Sequence, residues 1–350
     1  MTILKFTLSD INVSLANAIR RTILSDIPTV VFKTVPYNEN QATIYKNTTR
    51  LNNEILKQRL GCIPIHIKDA DFPIQDYIVE IEKKNNTDSI QLITTKDFKI
   101  KNITLEKYIT QKARNMIFPE NEITKDHIIF ARLRPAISKE LPGEELKMSV
   151  NFQWGTAKEN GMYNVVSTCS YQMTPDPIKQ DHEWKKIEPT LKLKKEELAN
   201  AKKNWHLLKG KRFYIEDSFD FIIESVGVYS NEEIFKKACK IIQRKLKNII
   251  ELPYEIKKSI STNTNSYDIK LNNEDYTIGK IIEFMLHFKY FKTTKLLNFV
   301  GFKKFHPHDT FSIIRIVSKE PTTEDTIRHY VKTCCEELIE IYDNLDKIFK

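Results

Sequence analysis

Glycine is scarce in this chain, at 8 of 350 residues, and cysteine is scarcer, at 5. No two cysteines have the Cys-x-x-Cys spacing, and their number is odd. These features predict neither a disulfide framework nor a four-thiolate zinc site. They favour a reducing, intracellular compartment. We expect no metal and no cofactor. The cysteines are Cys62, Cys169, Cys239, Cys334 and Cys335.

Long apolar runs are also missing. None approaches the ~20 residues that a membrane-spanning helix needs. The first ten residues have no basic stretch that leads into an apolar one, so a secretory signal is not expected. We therefore expect no membrane partner.

The strings typical of enzymes are absent. The chain has no P-loop, no Gly-x-Ser-x-Gly string and no cluster of carboxylates spaced to hold Mg²⁺. His306-Pro-His308 is the one pair that suggests a metal, and we interpret it as a turn between strands. The sequence predicts a protein that is not itself an enzyme.

Positive charge is concentrated in one stretch. The net charge is +9, from 55 basic and 46 acidic residues, and residues 185–212 hold ten Lys or Arg against three Glu. Such a stretch could neutralise nucleic-acid phosphates. The tryptophans of this region, Trp184 and Trp205, show no interleaved stacking pattern. A solvated or subunit-docking helix is the favoured interpretation.

Two amphipathic helices are predicted in the first 65 residues. A strand ending at Leu8 precedes a helix over 14–26, whose residues Ala16, Ile19 and Ile23 fall on one face. A returning strand is expected over 30–35, and a second helix over 49–60.

From residue 66 to 204, short strand-like runs separated by turn residues predict an inserted, mostly β domain. A strand follows from Phe213, and Ser230-Asn-Glu-Glu233 is a capping box that opens a helix over 231–250. Residues 256–267 read as a linker.

The last part predicts a strand over 267–271, a helix over 277–288, strands over 296–302 and 311–317, and a helix from Thr323. Apolar residues on that last helix alternate in steps of four and three, a pattern typical of a helix packed along another helix. We expect the helix over 231–250 to be its partner. The seam is Ile327, Val331, Cys334, Leu338, Ile341, Leu345 and Ile348.

The beginning of the chain is repeated in its last part. Leu8 aligns with Leu271, Ser14 with Thr277 and Ile19 with Ile282, without gaps. Both copies read strand, helix, strands and long helix. Two copies of one unit in one chain predict an internal pseudo-dimer.

These motifs resemble the subunits of one family. The string over 15–28 (LANAIRRTILSDIP) looks like the signature helix of the RNA polymerase α-type subunits, which are bacterial α, archaeal D and the third-largest eukaryotic subunit. The string over 47–64, Arg132-Leu-Arg-Pro135 and the string over 221–227 match the D type. The strings over 274–279 and 299–307, with Arg315-Ile316, resemble the small partner, archaeal L. Fusion of the two is a form associated with large nucleocytoplasmic DNA viruses.

The resemblance implies an α+β fold of two dimerisation modules that form an intramolecular pseudo-dimer. The D-type module would comprise residues 1–65 and 205–255, the β-rich insert 66–204, the linker 256–267 and the L-type module 268–350. It implies a non-catalytic platform of a DNA-directed RNA polymerase, monomeric by itself, that binds the two largest subunits and a small adaptor subunit. Nucleic acid would be contacted only through the complex. The alternative is a free-standing, basic nucleic-acid-binding transcription factor.

The resemblance also predicts site residues and location. Two successive arginines on an otherwise apolar helix cannot both enter the core, and an interface can use their guanidinium groups. For a viral protein, the expected location is the host cytoplasm and the virion. For a cellular protein, it is the nucleus. The predicted docking residues are Arg20, Arg21, Asn17 and Arg59. The predicted pairing residues are Ile19, Ile23, Ile282, Ile327, Val331, Leu338, Ile341 and Leu345.

Overall fold

A computed structural model describes residues 3–138, 140–191, 193–251, 254–259 and 265–349. The fold is mixed α+β. The strands are β1 (Ile3–Leu8), β2 (Thr29–Val31), β3 (Ala42–Asn47), β4 (Tyr77–Lys84), β5 (Gln91–Thr94), β6 (Lys99–Asn102), β7 (Lys107–Tyr108), β8 (Ile129–Leu133), β9 (Glu145–Asn151), β10 (Gln153–Gly155), β11 (Val166–Pro175), β12 (Tyr214–Ser225), β13 (Glu255–Lys258), β14 (Ser266–Asn272), β15 (Leu297–Lys303) and β16 (Phe311–Ser318).

The α-helices are α1 (Val13–Ser25), α2 (Asn53–Gly61), α3 (Gln111–Ile117), α4 (Pro177–Ile187), α5 (Lys195–Leu207), α6 (Asn231–Glu251), α7 (Tyr276–Leu286) and α8 (Glu324–Asp346). A π-helix over His287–Thr293 continues α7. In the part of the chain that the structure describes, no helix combines the length and the apolar character needed to cross a membrane.

The chain forms two compact units. The first comprises Leu24–Ser167 and Ser225–Ile234, and the second comprises Thr2–Ile23, Thr168–Glu224 and Phe235–Lys350. The first unit contains a five-stranded sheet in the order β3-β9-β4-β6-β7 and two ribbons, β5–β8 and β2–β10. Alternate residues of these strands face one apolar core, which includes Phe32, Phe98, Phe130 and Phe152.

The second unit contains two sheets of related topology. The strand order is β1-β12-β11 in one and β13-β14-β16-β15 in the other. Helix α1 follows β1 and α6 follows β12, just as α7 follows β14 and α8 follows β16. The order β1-β12-β11 therefore corresponds to β14-β16-β15, and β13 is an added edge strand.

The turns that open α1 and α7 also correspond, at the offset of 263 residues that the sequence repeat predicts. Asp10 has φ 58° and Asn273 has φ 57°. Asp and Asn tolerate this left-handed conformation better than most residues. Two residues further on, the Asn12 side chain accepts a hydrogen bond from the Ser14 amide at 2.9 Å, and the Asp275 side chain accepts one from the Thr277 amide at 2.8 Å. Both helices thus begin with the same side-chain cap.

The domain boundaries differ from the predicted ones. The insertion into the first repeat lies between α1 and β11, not over residues 66–204. Strand β11 pairs in the sheet of the repeat, and residues 177–207 hold helices α4 and α5 instead of strands. Alternation in the sequence predicts a strand and its buried face, but it does not identify the neighbouring strand.

The predicted linker over 256–267 is also wrong in part. Residues Glu255–Lys258 form β13, which pairs antiparallel with β14. The segment over 260–264 lies outside the described residues.

The buried face of α8 contains five of the seven predicted seam residues and differs from the seam at the other two. Tyr342 and Cys335 are buried, whereas Ile341 is half-buried and Ile348 is 58% exposed. The helix lies beside α7 and the following π-helix, where Tyr330 stacks on Tyr290 with ring centroids 4.1 Å apart. Contacts at both ends of α8 also reach α6 and the segment that follows it: Phe349 packs on Phe235 of α6 at 4.9 Å between ring centroids, and Arg328 donates to the Tyr254 carbonyl at 3.3 Å. The lengthwise pairing with α6 stays a prediction that these contacts support. A strict heptad seam drifts around a straight helix, so its later positions leave the buried face.

Candidate functional site

The candidate site is the set of contacts that join the two repeats within the second unit. Arg21 of α1 donates from Nε to the Thr277 hydroxyl at 2.9 Å and from Nη2 to the Asp275 carboxylate at 3.3 Å. Both acceptors stand in the capped first turn of α7. The guanidinium thus binds the side chain that caps the opposite repeat, which links the start of α7 to α1.

A buried hydrogen bond joins α8 to α1. The Tyr342 hydroxyl donates to the Leu15 carbonyl at 3.2 Å, and Tyr342 is completely buried. Burial raises the tyrosine pKa well above its ordinary value, so the hydroxyl keeps its proton. A buried hydroxyl without a partner would be destabilising, and this bond therefore makes the position of α8 against α1 specific.

Aromatic rings continue the contact at the C-terminal end of α8. The Phe349 ring packs edge-on against Phe6, at 5.3 Å, and against Phe235, at 4.9 Å between centroids. Phe6 stacks on Phe221 at 5.2 Å. These rings come from both repeats, and edge-to-face packing adds specificity to their burial.

Seven of the eight predicted pairing residues are buried. Ile341 is the exception, and it is half-buried. The buried ones are Ile19, Ile23, Ile282, Ile327, Val331, Leu338 and Leu345.

The two ends of this contact are not alike. At the repeat offset, Phe284 corresponds to Arg21, and Asn12 corresponds to Asp275. Phe284 and Asn12 line one cavity of about 480 Å³ in the second unit. The end at Arg21 and Asp275 is therefore closed by an ion pair. The end at Asn12 and Phe284 is an open, largely apolar cavity.

The predicted docking residues are placed differently from one another. Arg20 donates from Nε and Nη2 to the Asn17 side-chain oxygen, at 3.0 and 2.8 Å, so these two residues form one half-buried pair on α1. The corresponding residues of α7 are Lys280 and Glu283, which form an ion pair at 2.5 Å. The same place on each repeat thus carries different chemistry.

Arg21 and Arg59 have partners that the docking prediction did not foresee. Arg21 binds Thr277 and Asp275 within the chain, and its role in docking stays a prediction. Arg59 lies in the first unit, where it donates to the carbonyls of Phe130 at 2.7 Å and Ile129 at 2.8 Å. It holds strand β8 to helix α2, which is a structural role.

The cysteines are in surroundings that disfavour thiolates. Burial raises the pKa of Cys169 and of Cys334 to about 12, and it raises the pKa of Cys239 and Cys335 as well. Cys62 is exposed. Within the described ranges, no three His, Cys, Asp or Glu side chains gather as a metal site would require.

Sequence reasoning missed Tyr342 and the acceptors of Arg21. A tyrosine on the same helix as the seam was not considered as a core residue, although it stands four residues after Leu338. Asp275 could have been found, because the repeat aligns it with Asn12, a residue before a predicted helix start.

Hydrogen bonds between the two repeats are made by α1, the first turn of α7 and α8. Residues 5–246 match the family model described as the RNA polymerase Rpb3/Rpb11 dimerisation domain. The chain therefore belongs to this family.

Curated relatives are polymerase subunits. The chain is 25% identical to human "DNA-directed RNA polymerases I and III subunit RPAC1" over 297 residues, covering 71% of this chain and 80% of the relative. It is 26% identical to "DNA-directed RNA polymerase II subunit RPB3" of Schizosaccharomyces pombe over 269 residues, covering 74% and 86%. The corresponding RPAC1 of Saccharomyces cerevisiae is 23% identical, covering 71% and 83%.

Proposed function

We propose that this chain is the assembly platform of a multisubunit DNA-directed RNA polymerase, in which a D-type subunit and its small L-type partner are one polypeptide. The observation that carries the proposal is the pair of contacts between the repeats, Arg21 to Asp275 and Tyr342 to Leu15. Family membership and the printed names of the relatives support the polymerase context. The chain is a structural subunit and not an enzyme.

The L-type assignment of the last part rests on the repeat. The family match ends at residue 246, so the described residues 254–259 and 265–349 lie beyond it. The shared strand order, the paired left-handed turns at Asp10 and Asn273, and the matched caps support a second copy of the same module. Intramolecular pairing of the two copies would make the chain a monomer.

The difference between the repeats supports two different large partners. The Asn17–Arg20 pair presents a cation whose remaining donors have no partner among the described residues. The Lys280–Glu283 pair is neutral as a whole. We propose that the first repeat docks the second-largest subunit and the second repeat docks the largest one, with a small adaptor subunit in addition. In this role, nucleic acid is contacted only through the complex.

Two further proposals concern origin and location. The fused arrangement suggests a viral polymerase, acting in host cytoplasm and carried in the virion. Buried thiols with raised pKa values are compatible with the reducing compartment that the cysteine usage favours.

The docking test uses the tagged full chain co-expressed with the two largest subunits. Asn17→Ala with Arg20→Glu should reduce recovery of the second-largest subunit about ten-fold, because an interfacial guanidinium would be lost and a repulsive charge added. Lys280→Ala with Glu283→Ala is the matched control at the corresponding place, and it should leave that recovery unchanged. Equal recovery with both variants, at unchanged melting temperature, would refute the assignment.

Light scattering tests the proposed pairing. The isolated chain should be a monomer of about 41 kDa. Tethering of two modules raises their effective concentration to roughly millimolar, which favours pairing within one chain. A dimer that persists on dilution would contradict this proposal.

A further inference from the structure

The proposed function leaves one groove of the first unit unexplained. Its volume is about 510 Å³, and it lies where α2, the ribbon β5–β8 and the turn before α2 meet. The predicted motif Arg132-Leu-Arg-Pro135 contributes two of its residues. The lining includes Arg50, Leu51, Arg59, Ile90, Ile129 and Arg132.

Two arginines at the groove are fixed by the fold. Arg59 is bound to the carbonyls of Ile129 and Phe130. Arg134 donates to Glu144 at 2.6 Å, and Glu144 also accepts from the Arg134 amide at 2.8 Å. The floor of the groove is therefore preorganised.

Two other arginines are available. Arg50 and Arg132 are exposed, and neither guanidinium group makes a hydrogen bond or an ion pair with the described part of the chain. Between them the groove presents apolar side chains to water, because Ile90 is 61% exposed and Ile129 is 41% exposed. Exposed aliphatic residues beside unpaired guanidinium groups fit a ligand that is both apolar and acidic.

The ribbon β5–β8 cannot easily accept an added strand. Arg59 occupies carbonyls on β8, and Lys83 donates to the Leu92 carbonyl on β5 at 2.9 Å. Cationic side chains at strand edges block edge-to-edge pairing. Recognition at the groove must therefore use side chains rather than a continued sheet.

We infer that this groove docks an acidic peptide segment of a partner protein, with an apolar side chain between Ile90 and Ile129 and carboxylates on Arg50 and Arg132. Four arginines line the groove, and its one glutamate is already paired with Arg134, so the groove is positively charged. A negatively charged segment is the occupant that complements this charge. The inference does not depend on which large subunits the platform binds.

The test selects binders from a random dodecapeptide phage library on the full wild-type chain, with counter-selection on Arg50→Glu/Arg132→Glu. Both substituted residues are exposed, so the variant should fold. Selected peptides should contain an apolar residue flanked by at least two Asp or Glu. Their dissociation constants should rise about ten-fold or more for this variant and for Ile90→Ser.

A matched control reverses the charge of two exposed lysines elsewhere in the first unit. Lys107→Glu/Lys112→Glu changes the net charge equally and should alter the dissociation constant less than about two-fold. A charge-reversed peptide, with Lys for each Asp or Glu, should bind Arg50→Glu/Arg132→Glu better than the wild type.

Three results would overturn the inference. Selected peptides without acidic residues, or no enrichment at all, would exclude an acidic segment. A single-stranded 20-mer DNA that binds with the same dependence on Arg50 and Arg132 and displaces the peptides would identify a nucleic-acid site. Self-association that is lost in the groove variant would identify a contact between copies of the chain.

Discussion

The Tyr342 hydroxyl donates to the Leu15 carbonyl at 3.2 Å across 327 residues of sequence, in a fully buried position. This bond joins the last helix of the second repeat to the first helix of the first repeat. Replacing the tyrosine by phenylalanine removes only the hydroxyl oxygen and leaves the rest of the side chain unchanged. The contribution of this hydrogen bond can therefore be tested by itself.

Tyr342→Phe should lower the free energy of unfolding of the second unit by about 0.5–1.5 kcal/mol, because a buried hydrogen bond is lost without a cavity. Tyr330→Phe is the control, since the Tyr330 hydroxyl has no hydrogen bond among the described residues. Urea denaturation measures both. Equal losses for the two variants would show that the bond to Leu15 does not stabilise the fold.

The revised seam of α8 predicts different effects at neighbouring positions. Leu338 is completely buried and Ile341 is half-buried. Leu338→Ala should therefore cost roughly 2–5 kcal/mol, and Ile341→Ala about 1 kcal/mol or less. Denaturation of the two single variants separates this arrangement from the heptad seam, which predicts similar losses at both positions.

Gly279 stands where a side chain would collide with an aromatic ring. A Cβ atom there would lie 1.9 Å from Cε2 of Phe302, whereas one at Gly161 would meet nothing within 4 Å. Gly279→Ala should destabilise the second unit by about 1–3 kcal/mol through overpacking, and Gly161→Ala should not. Adding Phe302→Leu should restore part of the loss, as thermal melting of the full chain would show. A loss at Gly279 that Phe302→Leu leaves unchanged would contradict the steric explanation.

The His66 imidazole should make the first unit sensitive to acid. Burial, with the nearby Lys68 charge, lowers the His66 pKa from its ordinary value near 6.5. The unfolded state then binds a proton more readily than the folded state, so stability is lost as pH falls from about 6.5 toward the lower folded value. His66→Gln should lose less stability than the wild type between pH 7.5 and 5.5. Hydrogen exchange of amides in the first unit measures this stability at each pH. If the stability of the variant and of the wild type fell in parallel, this role of His66 would be excluded.

Local patterns in the sequence predicted several helix starts. The capping box at Ser230 and Glu233 is confirmed, with the Ser230 amide donating to Glu233 at 2.7 Å and the Glu233 amide to Ser230 at 3.2 Å. The repeat alignment predicted the corresponding starts of α1 and α7, because caps and left-handed turns depend on a few neighbouring residues.

Long-range relationships could not be predicted in the same way. The partner of β11, the place of α7 beside α8 and the role of Arg59 each depend on which elements come together in space. Periodicity defines a buried face, but Arg59 binds two strand carbonyls from a helix about 70 residues away in sequence. A docking role and this structural role therefore look alike in the sequence.

The central proposal is that one chain supplies both halves of the polymerase platform. Native mass spectrometry of the chain co-expressed with only the two largest subunits tests this most directly. We predict a complex with one copy of each protein and no separate small partner. A complex that contains two copies of this chain, or that forms only when a separate L-type subunit is added, would contradict the proposal.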